Sequence, residues 1–197
     1  MPAIPTGFFE LFAMLLGTGC RLGEALPITW ADVDFRTKTV AFSKSYRRQL
    51  STTKTKKARE IALGDEVYQM LRRLKAARMQ EGKGKISPLV FPDRDGRHIH
   101  QNSVRNVASQ ILKKAILPCF RVHNLRQTFA TLTLRAGTPV QMVSQLLGHS
   151  SSSITMDVYG HIIPLYNQDF VSRLGSTLLK SPTHPTRTLE KTKAVTI

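Results

Sequence analysis

Val122 to Gly137 reads V-H-N-L-R-Q-T-F-A-T-L-T-L-R-A-G, and Val143 to His161 reads V-S-Q-L-L-G-H-S-S-S-S-I-T-M-D-V-Y-G-H. In the first stretch Leu125, Phe129 and Leu132 recur at helical spacing as a buried stripe, and Gly137 stops the helix. Thr138-Pro139 starts the next helix with proline at the favoured first position. Val140, Val143, Leu146 and Leu147 bury it, and Gly148 ends it and exposes His149. One of Ser150 to Ser153 caps a third helix, which carries Ile154 and Val158 and ends at Tyr159. Positions three apart share a helix face, so His123 and Arg126 point into one pocket. A cation, two imidazoles and a phenol are an odd set for an apolar core. They suit a tetrahedral anion under attack by a hydroxyl.

Upstream, Phe8, Leu11, Phe12, Leu15 and Leu16 predict an amphipathic helix from about Thr6, ended by Gly17-Thr18-Gly19. A short second helix closes at Pro27. Val33 to Phe35, Thr39 to Phe42 and Arg59 to Leu63 read as three short strands, the first two joined by the polar turn Arg36-Thr37-Lys38. Asp65 is a good N-cap for a helix with Val67, Met70, Leu71 and Leu74 on one face and Arg72, Arg73, Lys75 and Arg78 on the other. Glu81 to Pro88 is a flexible connection, and Phe91 to Gly96 reads as a turn. Asn102 or Ser103 caps a helix using Val104, Val107, Ile111 and Leu112. His98 and His100 alternate but have no third or fourth ligand nearby, so no metal site is expected. The fold class is therefore α+β, a mainly helical domain with a small three-stranded antiparallel sheet.

Charge narrows the partner. The 197 residues hold 29 Lys and Arg against 13 Asp and Glu, giving +16 and a pI near 10.5. Such an excess favours a polyanion. It is concentrated: nine basic residues and no acid lie between Asp34 and Glu60, and no acid at all lies between Asp95 and Asp157. A short charge run is usually a solvated face, but an acid-free segment that holds the whole motif points to contact with a DNA backbone. No apolar run approaches the ~20 residues needed to span a bilayer. Phe8 to Leu16 lacks the basic leader and cleavage site of a signal peptide. Cys20 and Cys119 are isolated thiols without metal-ligand spacing, which fits a reducing compartment.

The series H-N-L-R-Q-T-F-A-T, L-L-G-H-S-S and a tyrosine ten residues past His149 resembles the tyrosine recombinase (phage integrase) family, whose pattern is H-x-x-R, L-G-H and a nucleophilic tyrosine. Asn124 and Gln127 stand where the family's commonest form, H-D-L-R-H-T, has Asp and His. T-G-C-R-L-G-E is similar to the family's T-G-x-R-x-x-E, and T-K-T-K-K-A-R-E-I-A-L to its K-T-x-x-x-R-x-I-P-L form. The resemblance covers about Phe8 to Ile163. It implies phosphate ligands at Arg21, His123, Arg126 and His149, a supporting partner behind them at Glu24 and a nucleophile at Tyr159. It implies a general acid at Lys54 on a β-hairpin, with Lys56 and Lys57 close enough to serve instead. Arg47, Arg48, Lys56, Lys57, Arg59 and Arg105 are expected as DNA contacts.

By the same resemblance, the chain is expected to be a site-specific recombinase catalytic domain. Such a domain cleaves and rejoins double-stranded DNA through a 3′-phosphotyrosyl bond, without cofactor or metal. It would act as a tetramer on synapsed duplexes and be monomeric or weakly associating when free, bacterial or phage-encoded, in the cytoplasm with the nucleoid and away from membranes. The alternatives are a type IB topoisomerase, or a DNA-binding remnant that has lost turnover. The catalytic domain is expected over residues 1–180 and a disordered basic tail over residues 181–197, with no counterpart here of the family's N-terminal core-binding domain. Phe170, Val171, Leu174 and Leu178 make a last helix that packs on its own domain or on a neighbouring protomer. His161 is given no role.

Overall fold

A glycine that only a left-handed turn can use decides where the first helix stops. In the computed structural model, which describes residues 7–46, 50–52, 59–81, 87–118 and 120–160, helix α1 (Phe8–Thr18) buries Leu11, Met14 and Leu15 and ends at Gly19. Gly19 has φ 63° and donates its N–H to Leu15 O over 3.0 Å. Helix α2 (Leu22–Ala25) comes next, then a 3-10 turn (Trp30–Asp32). Strands β1 (Val33–Asp34), β2 (Thr39–Phe42), β3 (Lys44–Tyr46), β4 (Leu50–Thr52) and β5 (Arg59–Ala62) succeed them. Helices α3 (Asp65–Glu81), α4 (Gln101–Lys114), α5 (His123–Arg135), α6 (Val140–Leu147) and α7 (Ser152–Tyr159) complete the described chain.

The strands make an antiparallel sheet of order β1-β2-β5 and a separate hairpin, β3-β4. Register follows from the period of two: Val33 faces Val40, Val40 faces Ile61, and Phe42 faces Arg59. Val33, Val40, Phe42 and Ile61 are thereby buried in one cluster with α1, Val67 and Leu71 of α3, and Val104 of α4. Ala130, Leu134, Val143, Leu147 and Tyr159 form a second, smaller cluster on α5, α6 and α7. The α+β class and the three-stranded antiparallel sheet are as the sequence predicts.

Local differences have local causes. Phe35 drops out of β1 because the Asp34 carboxylate accepts the N–H groups of Arg36 (2.7 Å) and Thr37 (3.1 Å), bending the chain into the turn early. Asp65 is the first residue of α3 rather than its cap, and its carboxylate pairs with Lys38 Nζ at 2.7 Å. The cap of α4 is His100, whose Nδ1 accepts from the Asn102 N–H, in place of Asn102 or Ser103. On α5 the buried row is Arg126, Ala130 and Leu134, while Leu132 is 56% exposed. A polar residue holds the inward row, so the apolar stripe gives the helix face one step out of phase. For the same reason α7 buries Thr155 and Tyr159, not Ile154 or Val158. Cys119 and residues 161–197, with the expected last helix and tail, lie outside the described residues. Among the described residues no helix is long and apolar enough to cross a membrane.

Gly19 also lets α1 approach α5: a Cβ there would lie 2.3 Å from Phe129 Cδ1. Gly137 has a similar left-handed backbone (φ 85°) with open space around it. Gly137→Ala is therefore expected to cost only the backbone term, about 1–2 kcal/mol. Gly19→Ala adds the overlap and should cost about 3 kcal/mol or more. Urea unfolding of both variants checks this, and equal losses would place the effect in the backbone alone.

Candidate active site

The turn that ends α1 delivers Arg21 to the start of α2, where its N–H donates to Glu24 Oε2 (2.9 Å) and its Nη1 to Glu24 Oε1 (3.0 Å). Glu24 is 4% exposed, and its two oxygens also take both ends of the Arg59 guanidinium, at 3.0 and 2.6 Å. One buried carboxylate thus holds two arginines. Burial pushes its pKa up, but the bonds and charge of Arg59, then those of Arg21, outweigh this and hold it below the ordinary 4.5. The Arg21 side chain stays 46% exposed, whereas that of Arg59 is 16% exposed and lies over the Phe42 ring. Arg59, expected among the DNA contacts, is instead turned inward.

Arg126 is deeper, 4% exposed. Its Nη1 donates to Gly19 O (2.8 Å) and its Nη2 to Leu147 O (2.6 Å). Those carbonyls belong to the C-terminal ends of α1 and α6, where the helix dipole is negative. Burial, then Arg21, lowers the Arg126 pKa to about 10, with Glu24 opposing, so it stays charged at neutral pH. The cation is held by two helix ends.

His123 opens α5, and burial, then Arg126 and Arg21, lowers its pKa. A left-handed Gly148 (φ 66°) ends α6 and turns the chain into His149, whose N–H donates to Ser144 O at 3.0 Å. A Cβ on Gly148 would lie 2.6 Å from Arg59 Nη1, so a side chain there would displace the guanidinium from its place beside Glu24. His149 Nδ1 is 2.9 Å from Thr155 Oγ1. Burial and then the charges of Arg126, Arg21 and Arg59 bring its pKa to about 4, so the ring is neutral at pH 7. Tyr159, 7% exposed, ends α7 in the smaller apolar cluster. Burial raises the pKa of its phenol, and Arg126 pulls the other way.

A cavity of about 540 Å³ opens where α2, α4 and α5 begin, lined by Arg21, Arg105, Arg121, His123 and Arg126 among others. His149 and Tyr159 do not line it but join the set through Arg126, whose charge acts on both rings. The larger cavity of about 780 Å³ between α1 and α3 contains none of these residues. Arg105 is exposed on α4 and bonded to Asn102 Oδ1 at 2.8 Å. At the rim, Gln101 Nε2 donates to Tyr46 O (2.7 Å) and His98 stacks on Tyr46 (centroids 4.5 Å apart), anchoring the β3-β4 hairpin. Lys54 comes two residues after β4 in sequence; it, Arg47, Arg48, Lys56 and Lys57 lie outside the described residues.

Four participants escape the sequence reading: Arg59 as the partner of Glu24, Thr155 beside His149, Gln101 at the hairpin, and Arg121 in the cavity wall. Only Arg59 leaves a usable signal, since it alternates in phase with the buried Ile61 on β5.

The phage integrase family pattern matches residues 8–164. A tyrosine recombinase XerC-like protein of Caldanaerobacter subterraneus is 28% identical over 192 residues, covering 86% of this chain and 49% of that protein. The integrase of transposon Tn1549, solved with transposon right-end DNA, superposes with a TM-score of 0.71 at 22% identity, over 89% of this chain and 60% of that one. The catalytic domain of bacteriophage HP1 integrase superposes with a TM-score of 0.56 at 26% identity, over 85% of this chain and 82% of that domain. The chain spans about half the length of the curated relatives it matches.

Acid should weaken the fold in two windows. The folded His149 titrates near 4 against an ordinary 6.5, so the unfolded chain binds the extra proton between those values and stability falls as pH drops through them. The Glu24 contribution is complete above about 4.5 and is lost as pH falls through its lower folded value. In urea midpoints measured against pH, His149→Ala should flatten the upper window. Glu24→Gln should start less stable at pH 7 and converge on the parent below pH 4.5. Parallel curves for parent and variants would contradict both assignments.

Proposed function

Because the chain belongs to the phage integrase family, we propose that it is the catalytic part of a site-specific recombinase that breaks and rejoins duplex DNA through Tyr159. The supporting observation is the charge of the site. Arg21 and Arg59 share one carboxylate, Glu24, while Arg126 is held by carbonyls alone, beside two imidazoles whose pKa values are lowered. The unbalanced positive charge calls for an anion, and the tyrosine under the field of Arg126 supplies the attacking oxygen.

Arg21 and Arg126 bind the non-bridging oxygens of the scissile phosphate. Two of the five N–H donors of Arg126 are used on the Gly19 and Leu147 carbonyls, which fixes the fork and leaves the others for phosphate. His149, with a pKa of about 4, is a weak base and serves as a neutral hydrogen-bond donor. His123 takes the Tyr159 proton. Ionising a phenol of pKa ~10 at pH 7 costs about 4 kcal/mol, and the bound cations offset part of it. Tyr159 Oη forms a bond to phosphorus, the bond to the 5′ oxygen breaks, and Lys54 protonates that oxygen as general acid. The products are a 3′-phosphotyrosine and a free 5′-hydroxyl. A 5′-hydroxyl from a second strand reverses the step, and the phosphodiester energy is kept without ATP.

That Arg126 and Tyr159 interact within one chain supports attack by the tyrosine on the phosphate its own chain binds. Strand exchange between two duplexes then takes four protomers, acting on bacterial or phage DNA in the cytoplasm. The Tn1549 neighbour was solved bound to DNA, which is consistent with duplex DNA as the substrate.

A nicked suicide duplex, whose cleavage releases a short strand, tests this. At low salt the chain should become covalently attached, in chelator as well as without it. Tyr159→Phe should abolish attachment while leaving DNA affinity unchanged. Attachment that survives Tyr159→Phe sinks the assignment, and binding without any attachment supports a DNA-binding remnant.

A further inference from the structure

Three threonine hydroxyls inside the helices of this protein share a habit. Thr18 donates to Met14 O (2.7 Å), Thr128 to Asn124 O (3.0 Å) and Thr133 to Phe129 O (2.7 Å), each to the carbonyl four residues back. Thr155 on α7 departs from it. The carbonyl four residues back, Ser151 O, already accepts from Ser144 Oγ at 3.3 Å. Among the described residues, the partner of Thr155 Oγ1 is His149 Nδ1, at 2.9 Å. Thr155 is 0% exposed. A buried hydroxyl left without an acceptor costs about 1–3 kcal/mol, which favours the hydroxyl as donor and the ring Nδ1 as acceptor in this contact.

That choice fixes the chemistry at the far side of the imidazole. A neutral histidine carries one N–H. With Nδ1 accepting, the hydrogen sits on Nε2, which then donates to a phosphate oxygen. In the other tautomer Nδ1 donates to the threonine, and Nε2 presents a lone pair that repels the same oxygen. The cations around His149 disfavour a second proton, so the ring has one orientation and one tautomer to offer.

We propose that Thr155 is a positioning residue that holds His149 with Nε2–H ready for the reacting phosphate and couples that ring to the helix carrying the nucleophile. Thr155 and Tyr159 are four residues apart on the buried face of α7. Ser144 joins both parts from α6: its carbonyl accepts the His149 N–H, and its hydroxyl donates to the carbonyl at the α7 cap. Withdrawal of α7 therefore also disturbs the imidazole. The inference rests on the reading of His149 as a phosphate ligand.

The tautomer is measured without DNA. In the full chain with nitrogen-15 histidine, the NMR shifts of His149 should show a protonated Nε2 and a hydrogen-bonded, unprotonated Nδ1. Thr155→Ser should keep that signature and Thr155→Val should lose the Nδ1 hydrogen bond. A protonated Nδ1 in the parent protein overturns the proposal whatever the enzyme does. On the nicked duplex, Thr155→Val should slow covalent attachment about tenfold or more at unchanged DNA affinity, and Thr155→Ser should restore most of the rate. In a His149→Ala background Thr155→Val should have no further effect. An undiminished effect there would mean that Thr155 acts on Tyr159 by packing alone, and the proposal fails. Attachment by His149→Ala at the parent rate removes instead the phosphate role of His149, while the tautomer result stands by itself.

Discussion

A buried guanidinium usually finds a carboxylate, since an isolated charge in a protein interior costs several kcal/mol. Arg126 does not follow that pattern. Its two bonded acceptors are the carbonyls of Gly19 and Leu147, at the trailing ends of α1 and α6. Partial negative charge from two helix ends solvates the cation without cancelling it. The fold depends on this contact as much as the site does. It pins α5 between the helix that begins the domain and the helix that leads into His149. Removing the guanidinium would leave two helix ends without a donor and separate the two apolar clusters that they join.

Among the described residues the one buried carboxylate, Glu24, binds most fully the less exposed of its two arginines. Glu24 takes both nitrogens of Arg59 and only one of Arg21. Arg59 is thereby held against Phe42 and beside Gly148, where its charge lowers the pKa of His149. Arg21, half exposed and anchored at one guanidinium nitrogen, keeps its remaining side-chain donors free beside the cavity. Glycines at 19 and 148 are part of the same design. At each, a side chain would occupy the space that the neighbouring ring or guanidinium fills.

The positions of the candidate site residues are more legible in the sequence than the packing around them. Arg21, Glu24, His123, Arg126 and His149 are spaced by helix periodicity and by glycine stops, and both of those are local properties. Sequence can therefore place them on successive helix ends before any tertiary contact is known. The faces of α5 and α7 come out wrong because each buries a polar residue, Arg126 and Thr155, in the row that apolar residues normally hold. An apolar stripe then marks the neighbouring row, and Leu132, Ile154 and Val158 are left outside. Arg59 misleads for a related reason. In a run of nine basic residues its charge does not stand out, and only its alternation with Ile61 separates it from the lysines before it. His100 as a cap depends on which ring nitrogen lacks its hydrogen, and that is invisible in one-letter code.

The arithmetic of the site matches a transition state better than a ground state. Arg21, Arg59 and Arg126 against Glu24 leave an excess of two, to which Arg105 and Arg121 of the cavity wall add, with both imidazole pKa values lowered. A phosphodiester arriving with the phenol still protonated brings one negative charge, so the complex remains under-neutralised. Once the phenol proton has passed to His123 and the phenol oxygen bonds to phosphorus, the reacting group carries two negative charges, facing the fixed guanidinium groups and the new imidazolium beside them. Charge that appears only as the bond forms is what a preorganised site should match, because equal attraction to both states would tighten binding without raising the rate. The buried, unionised Tyr159 fits the same logic. Its pKa is raised by burial in the free protein, so on the proposed mechanism the anion is costly until a phosphate is there to receive it.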